Sequence, residues 1–159
     1  MSDDSKERSE ERGAAPLKAE VTPQRSAQQV EAHTGYAVFA PAGRASLGQM
    51  VEQVHGIIRY ALEQQMGRLL IDLTHLTGFE NPSLPDRYWI VRQWASTAGS
   101  RVDVALVLET RYIDPDRFGV KVAVNFGMRA DVFTSRSDAL TWLLSGEPSS
   151  VHKGTDRIS

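Results

Sequence analysis

With 159 residues, 41% of them hydrophobic, the chain is long enough to bury one core and short enough that one ordinary domain with tails accounts for it. It contains no cysteine, which excludes a disulfide framework, a thiolate metal site and a cysteine nucleophile. The formal net charge is -2, with Lys and Arg scattered rather than clustered, so the basic footprint of a nucleic-acid binder is missing.

Residues 1–27 mix both signs of charge with Ser, Ala, Gly and Pro and hold only Leu17 and Val21 as large aliphatics. So little apolar surface cannot offset the entropy of ordering the segment, which predicts a disordered tail. The opening "MSDDSKERSEERGAAP" lacks the apolar centre of a signal peptide, and no run of about 18 apolar residues occurs in the chain. The expectation is a cytoplasmic, bacterial-type protein without a membrane span.

The folded domain is expected over residues 28–146, with a second disordered tail over 147–159. "VEAHTGYAVFAPAG" gives two short extended pieces about Thr34-Gly35, a hairpin signal. Ser46 and Gln49 form a capping-box pattern, and Leu47, Met50, Val51, Val54, Ile57, Ile58, Ala61 and Leu62 recur at helical spacing. "RLLIDL" and "VDVALVLE" are continuous apolar runs, the mark of strands covered on both faces. Between them a helix is expected from about Ser83 to Ala98, stopped by Gly99.

After the second run, Asp114-Pro115 reads as an N-cap with proline at the first helical position. The segment "GVKVAVNF" then sends two messages. Val120, Val122, Val124 and Phe126 alternate at period two, as in a strand, whereas Phe118, Val122 and Phe126 make one stripe of a helix. The αβαβα alternation of a parallel sheet favours the helix. "RADVF" completes the strands, and "SRSDALTWLL" is a last helix with Ser135 and Asp138 as its capping pair. These elements compose an α/β domain with an N-terminal hairpin, a mostly parallel sheet and about four helices.

This order, together with "LLIDLTHLTGFENPSL" and "VFTSRSDALTWLL", resembles the STAS fold of sulfate-transporter tails and anti-sigma-factor antagonists over about Val30 to Leu144. The resemblance implies a regulatory, signal-transducing module that binds a protein partner through the loop after the Asp72-Leu73 strand and the helix beyond it. In anti-sigma-factor antagonists that loop carries a motif like Asp-Ser-Ser-Gly-Leu, whose second serine is phosphorylated. Here the aspartate falls on Glu80, the first serine on Asn81, the phosphoacceptor on Pro82 and the leucine on Leu84, so the ordinary switch hydroxyl is absent. Ser83 is the neighbouring candidate phosphosite, and its competing reading is a plain helix N-cap.

Catalytic and metal chemistry find no foothold. His33, His55, His75 and His152 fall in four separate elements, without an HxxxH or HExxH spacing. No nucleophile elbow or phosphate-binding glycine loop is present, so no enzyme activity, metal or cofactor is expected. Asp72 ends a central strand, where open α/β sheets gather ligands, and Thr74, Glu109, Arg111 and Tyr112 are expected on the same rim as a candidate pocket. Asp72 equally suits the task of bonding amides of the following loop.

On the second helix, Leu84, Tyr88, Val91, Ala95 and Ala98 share the apolar face, which turns Trp89 toward the polar side. The leading expectation is a non-enzymatic docking module using the 76–83 loop and the following helix, with Glu80, Asn81, Ser83, Arg87, Trp89, Arg92 and Gln93 against a protein partner. The alternative is a small-ligand or lipid-binding protein with its pocket at the carboxyl ends of the strands. Oligomeric state is left open by the sequence.

Overall fold

Gly35, at φ 87°, turns the chain between β1 (Val30–His33) and β2 (Tyr36–Phe39), a backbone conformation that glycine adopts without steric cost. A computed structural model gives the structure, and it describes residues 30–151. The amino-terminal tail expected over 1–27 lies outside the described residues.

After the hairpin come β3 (Gly43–Arg44), α1 (Leu47–Glu63), β4 (Arg68–Asp72) and β5 (Leu76–Thr77). The chain continues through α2 (Leu84–Ala98), β6 (Asp103–Val107) and a 3-10 turn (Thr110–Tyr112). It ends with α3 (Phe118–Asn125), β7 (Ala130–Phe133) and α4 (Arg136–Ser145). Five strands form one sheet in the order β1-β2-β4-β6-β7, with β1 antiparallel to β2 and the other neighbours parallel. The protein is thus an α/β domain with a mostly parallel mixed sheet and four α-helices among the described residues.

Period-two alternation divides the sheet's side chains between two unequal cores. Ala37, Phe39, Leu69, Ile71 and Val104 belong to the larger one, shared with α1, α2 and α3. Val38, Leu70, Ala105 and Val107 face the other way, against Ala139, Trp142 and Leu143 of α4. Both faces of the central strands are covered, which is why their sequences read as unbroken apolar runs.

The capping readings hold at three helices. Ser46 and Gln49 make the reciprocal box on α1, Ser83 Oγ accepts from Asp86 N at 3.2 Å, and Ser135 Oγ accepts from Asp138 N at 3.1 Å. The ambiguous "GVKVAVNF" is helical, but its helix starts later than the Asp-Pro signal indicated. Arg117 stands at the N-cap with φ 54°, and Asp114 caps from four residues ahead, its Oδ2 accepting from Phe118 N at 2.9 Å. Residues 114–117 form a turn instead of the first helical turn because the aspartate reaches across it.

Two features depart from the sequence reading. The stretch after Leu73 contains β5, which pairs in parallel with β3, matching Gly43 with Leu76 and Arg44 with Thr77. Gly78 (φ 97°) secures this crossing, since a Cβ there would lie 3.0 Å from Arg44 Cγ and 3.2 Å from the Ala45 carbonyl. Secondly, residues 147–151, expected as the start of a tail, pack back on the domain. Gly146 (φ 81°) ends α4, Trp142 Nε1 donates to the Pro148 carbonyl at 3.0 Å, and Ser149 is 5% exposed. Ser150 N and Oγ donate to the buried Asp131 carboxylate at 2.6 and 3.0 Å. Polar groups, not an apolar run, hold this segment, so hydrophobic patterning gave no warning of it. Residues 152–159 lie outside the described residues.

Candidate functional site

Helix α2 docks by its carboxyl-terminal half. Trp94, Ala95 and Ala98 are buried, and Trp94 Nε1 donates to the Val51 carbonyl of α1 at 3.2 Å. Its amino-terminal half packs beside α3 and holds no fully buried residue. Leu84, expected on the buried face, is the first residue of the helix and is 52% exposed, and Trp89, expected on the outer face, is 60% exposed. The Arg92 guanidinium carbon lies 5.0 Å from the Trp89 ring centroid and 5.4 Å from that of Phe126. Tyr88 closes the cluster, edge-on to Trp89 at 5.2 Å and to Phe126 at 6.4 Å between centroids.

Phe126 was expected on the stripe of α3 that carries Phe118 and Val122. It is instead 38% exposed, because α3 ends at Asn125 and buries Val120, Val122 and Ala123. Two helices therefore present one surface made of aromatic rings with a guanidinium laid between them, a cation–π arrangement. Among the described residues Arg92 has no ion-pair partner. Phe126 is the member that sequence reasoning missed. Its position just beyond the helix end, where the buried stripe runs out, was the available signal.

The other residues expected to meet a partner have different occupations. Arg87 donates through Nη2 to Asn81 Oδ1 at 2.7 Å and through Nη1 to the Tyr112 carbonyl at 3.3 Å, while Asn81 Nδ2 donates to the Arg111 carbonyl at 3.0 Å. These two side chains tie the 79–83 loop to the 3-10 turn. Burial lowers the Arg87 guanidinium from its usual value, opposed by the nearby Asp114 carboxylate. Phe79 adds an anchor, stacked on Tyr112 at 4.7 Å between centroids, and its carbonyl accepts from the Tyr112 hydroxyl at 3.2 Å. Ser83 serves as the N-cap, Glu80 is exposed, and Gln93 is exposed with its amide 3.3 Å from His55 Nδ1. The docking set thus splits: Trp89, Arg92 and Gln93 lie on the outer helix face, whereas exposed Asn81 and half-buried Arg87 are hydrogen-bonded to each other and to the 3-10 turn.

The rim group is not brought together as a pocket. Asp72 is 3% exposed and shares the side of β4 that faces α4, where Arg136 Nε donates to its Oδ2 at 2.7 Å. Thr74 N and Oγ1 donate to its Oδ1 at 2.9 and 2.6 Å. Burial by itself raises the carboxyl, but the bonds from Thr74 and Arg136 outweigh it and hold Asp72 below the ordinary aspartate value. Glu109 and Arg111 pair with each other at the surface at 3.1 Å. Only Tyr112 of that set lines a cavity found between the sheet and α1–α3. The split follows from strand period: Asp72 falls in phase with Leu70, on the opposite side of the sheet from the cavity. The cavity measures about 100 Å3, below the roughly 300–1,000 Å3 of drug- or lipid-sized ligand sites.

Among the described residues no helix is long and apolar enough to cross a membrane. In comparisons with known proteins, the chain matches no family model and no curated protein sequence.

Proposed function

We propose that the protein is a non-enzymatic, STAS-like interaction module of the cytoplasm that docks another protein on the face built by Trp89, Arg92 and Phe126, with Leu84 and Gln93 beside it. The observation that carries this reading is the exposed Trp89 indole with Arg92 stacked over it. Trp and Arg are the residue types that dominate binding energy when an interface covers them. The element order and the STAS resemblance of the flanking sequences support the family part of the reading.

The occupant that fits is a protein surface offering an apolar side chain next to a carboxylate. The rings would receive the apolar group, and the Arg92 guanidinium, which lacks an acidic partner among the described residues, would receive the acid. The 79–83 loop contributes as a stiff shoulder, since Asn81, Arg87 and Phe79 tie it down, and Glu80 is its outward charge. Without a hydroxyl at Pro82, docking is not switched at the position used by anti-sigma-factor antagonists.

Replacing Gln93 by a benzoylphenylalanine photocrosslinker in the native cell tests the reading. The expected product is one defined heteromeric adduct, lost in Trp89→Ala. Adducts only with a second copy of this chain, or with its own residues 1–29, would contradict it.

A further inference from the structure

The five-stranded sheet has two edges, and they are finished differently. Along β7 the backbone groups facing away from β6 belong to Ala130 and Val132, since the Arg129 and Phe133 carbonyls accept from β6 and its end. Side chains of the same molecule take three of these four groups. Ala130 N donates to Ser149 Oγ at 3.2 Å, Val132 N to Asp131 Oδ1 at 2.8 Å, and Arg117 Nη1 donates to the Val132 carbonyl at 3.2 Å. A strand closed in this way offers little ladder to another chain.

β1 forms the other edge, and among the described residues no strand pairs with its outer side. His33 opposes Tyr36 across the two-residue turn, and the pair that closes such a hairpin is hydrogen-bonded. Alternation then turns the N–H and C=O of Val30 and Ala32 outward. Glu31, Ala32 and His33 are all exposed.

Charged side chains ordinarily defend an edge strand. On β1, however, the charges are an acid and a base two residues apart on one face, and that pattern is complementary to itself. Aligned antiparallel with a second copy about Ala32, the two Ala32 residues exchange backbone hydrogen bonds. Each Glu31 then falls opposite the second copy's His33, in the closer, non-hydrogen-bonded kind of pair. Sliding by two residues either way sets Glu31 against Glu31 or His33 against His33, so one register is favoured. Within one copy the Glu31 carboxylate lies 3.5 Å from His33 Nε2, longer than a good hydrogen bond, and both groups stay available.

We infer that β1 is a self-association edge, on which two copies of this chain join antiparallel about Ala32 and continue their sheets into one. The edge is at the opposite end of the sheet from β7, against which α3 packs, so it stands whether or not the α2–α3 face has a partner.

Sedimentation velocity of the full chain reads the association. Wild type should pass from monomer to dimer as concentration rises. Ala32→Pro removes an outward N–H and leaves the β1–β2 ladder its bonds, so it should give a monomer with an unchanged melting temperature. Glu31→His or His33→Glu alone opposes like groups in both cross-strand pairs and should weaken association about tenfold, whereas the two together should restore it. The chain has no cysteine, so oxidation can read the register. Glu31→Cys mixed with His33→Cys should form a disulfide dimer faster than either does alone. A wild type that stays monomeric would overturn the edge, even if Ala32→Pro failed to fold, and so would a dimer that survives Ala32→Pro. Fastest crosslinking of Glu31→Cys with itself, or no recovery in the double substitution, would overturn the register.

Discussion

Arg136, on the first turn of α4, donates to Asp72 at the end of β4 over 2.7 Å, and this bond ties the smaller core to the sheet. Asp72→Ala leaves the Thr74 amide and the guanidinium without their acceptor and should cost about 2 kcal/mol in urea unfolding. Arg136→Met, at a half-exposed position, should cost less, about 1 kcal/mol. The folded state holds Asp72 below its ordinary pKa of 3.8. The corresponding stabilisation is therefore present above that pH and lost as pH falls through the lower folded value. Asp72→Asn should flatten this acid limb, and an unchanged limb would refute the assignment.

His55 gives a second pH dependence, higher on the scale. Its Nε2 lies 2.7 Å from Thr97 Oγ1 and its Nδ1 3.3 Å from the Gln93 amide, so the ring bridges α1 and α2. Burial lowers its pKa from 6.5, Arg59 lowers it further, and Glu52 opposes both. The neutral ring is therefore the folded form, and stability should be complete above about pH 6.5 and decline as pH falls below it. Unfolding midpoints of wild type and His55→Gln should converge as the pH is lowered. A gap that is constant with pH would contradict this.

Arg129 closes the carboxyl-terminal segment onto the domain. Its guanidinium stacks 3.9 Å from the Trp142 ring centroid and donates to Asp103 and to the Trp142 and Glu147 carbonyls. Such a planar fork is not replaced by an ammonium. Arg129→Lys should lower stability by about 2 kcal/mol, nearly as much as Arg129→Met. Deleting residues 147–159 should also lower the melting temperature, an effect that an unstructured tail would not produce.

Ser83 spends its hydroxyl on the N-cap of α2. Ser83→Ala should cost about 1 kcal/mol of stability and leave partner affinity unchanged. Intact-mass analysis of protein from the native cell should show no phosphate at this residue, and a phosphate there would restore the switch reading.

Strand and helix placement was largely legible because covered strands and capped helices leave local signatures. The runs "LLID" and "VALV", and the Ser46, Ser83 and Ser135 caps, stand where the residues put them. Polar tertiary bonds leave no such periodic trace. The anchoring of residues 147–151 depends on Asp131 and Arg129, and the β3–β5 pairing depends on two residues each, too short for any pattern. At the candidate site Trp89 was legible from helical phase, whereas Phe126 and the hydrogen-bonding roles of Asn81 and Arg87 depend on how α2, α3 and the 3-10 turn meet.

The central claim is that the α2–α3 aromatic face grips a protein partner. Isothermal titration of the captured and purified partner into wild type, Trp89→Ala and Arg92→Ala tests it most directly. The account predicts that each substitution weakens binding by about 2 kcal/mol or more, roughly thirtyfold in Kd, with melting temperatures unchanged. Equal affinities for all three proteins would contradict it.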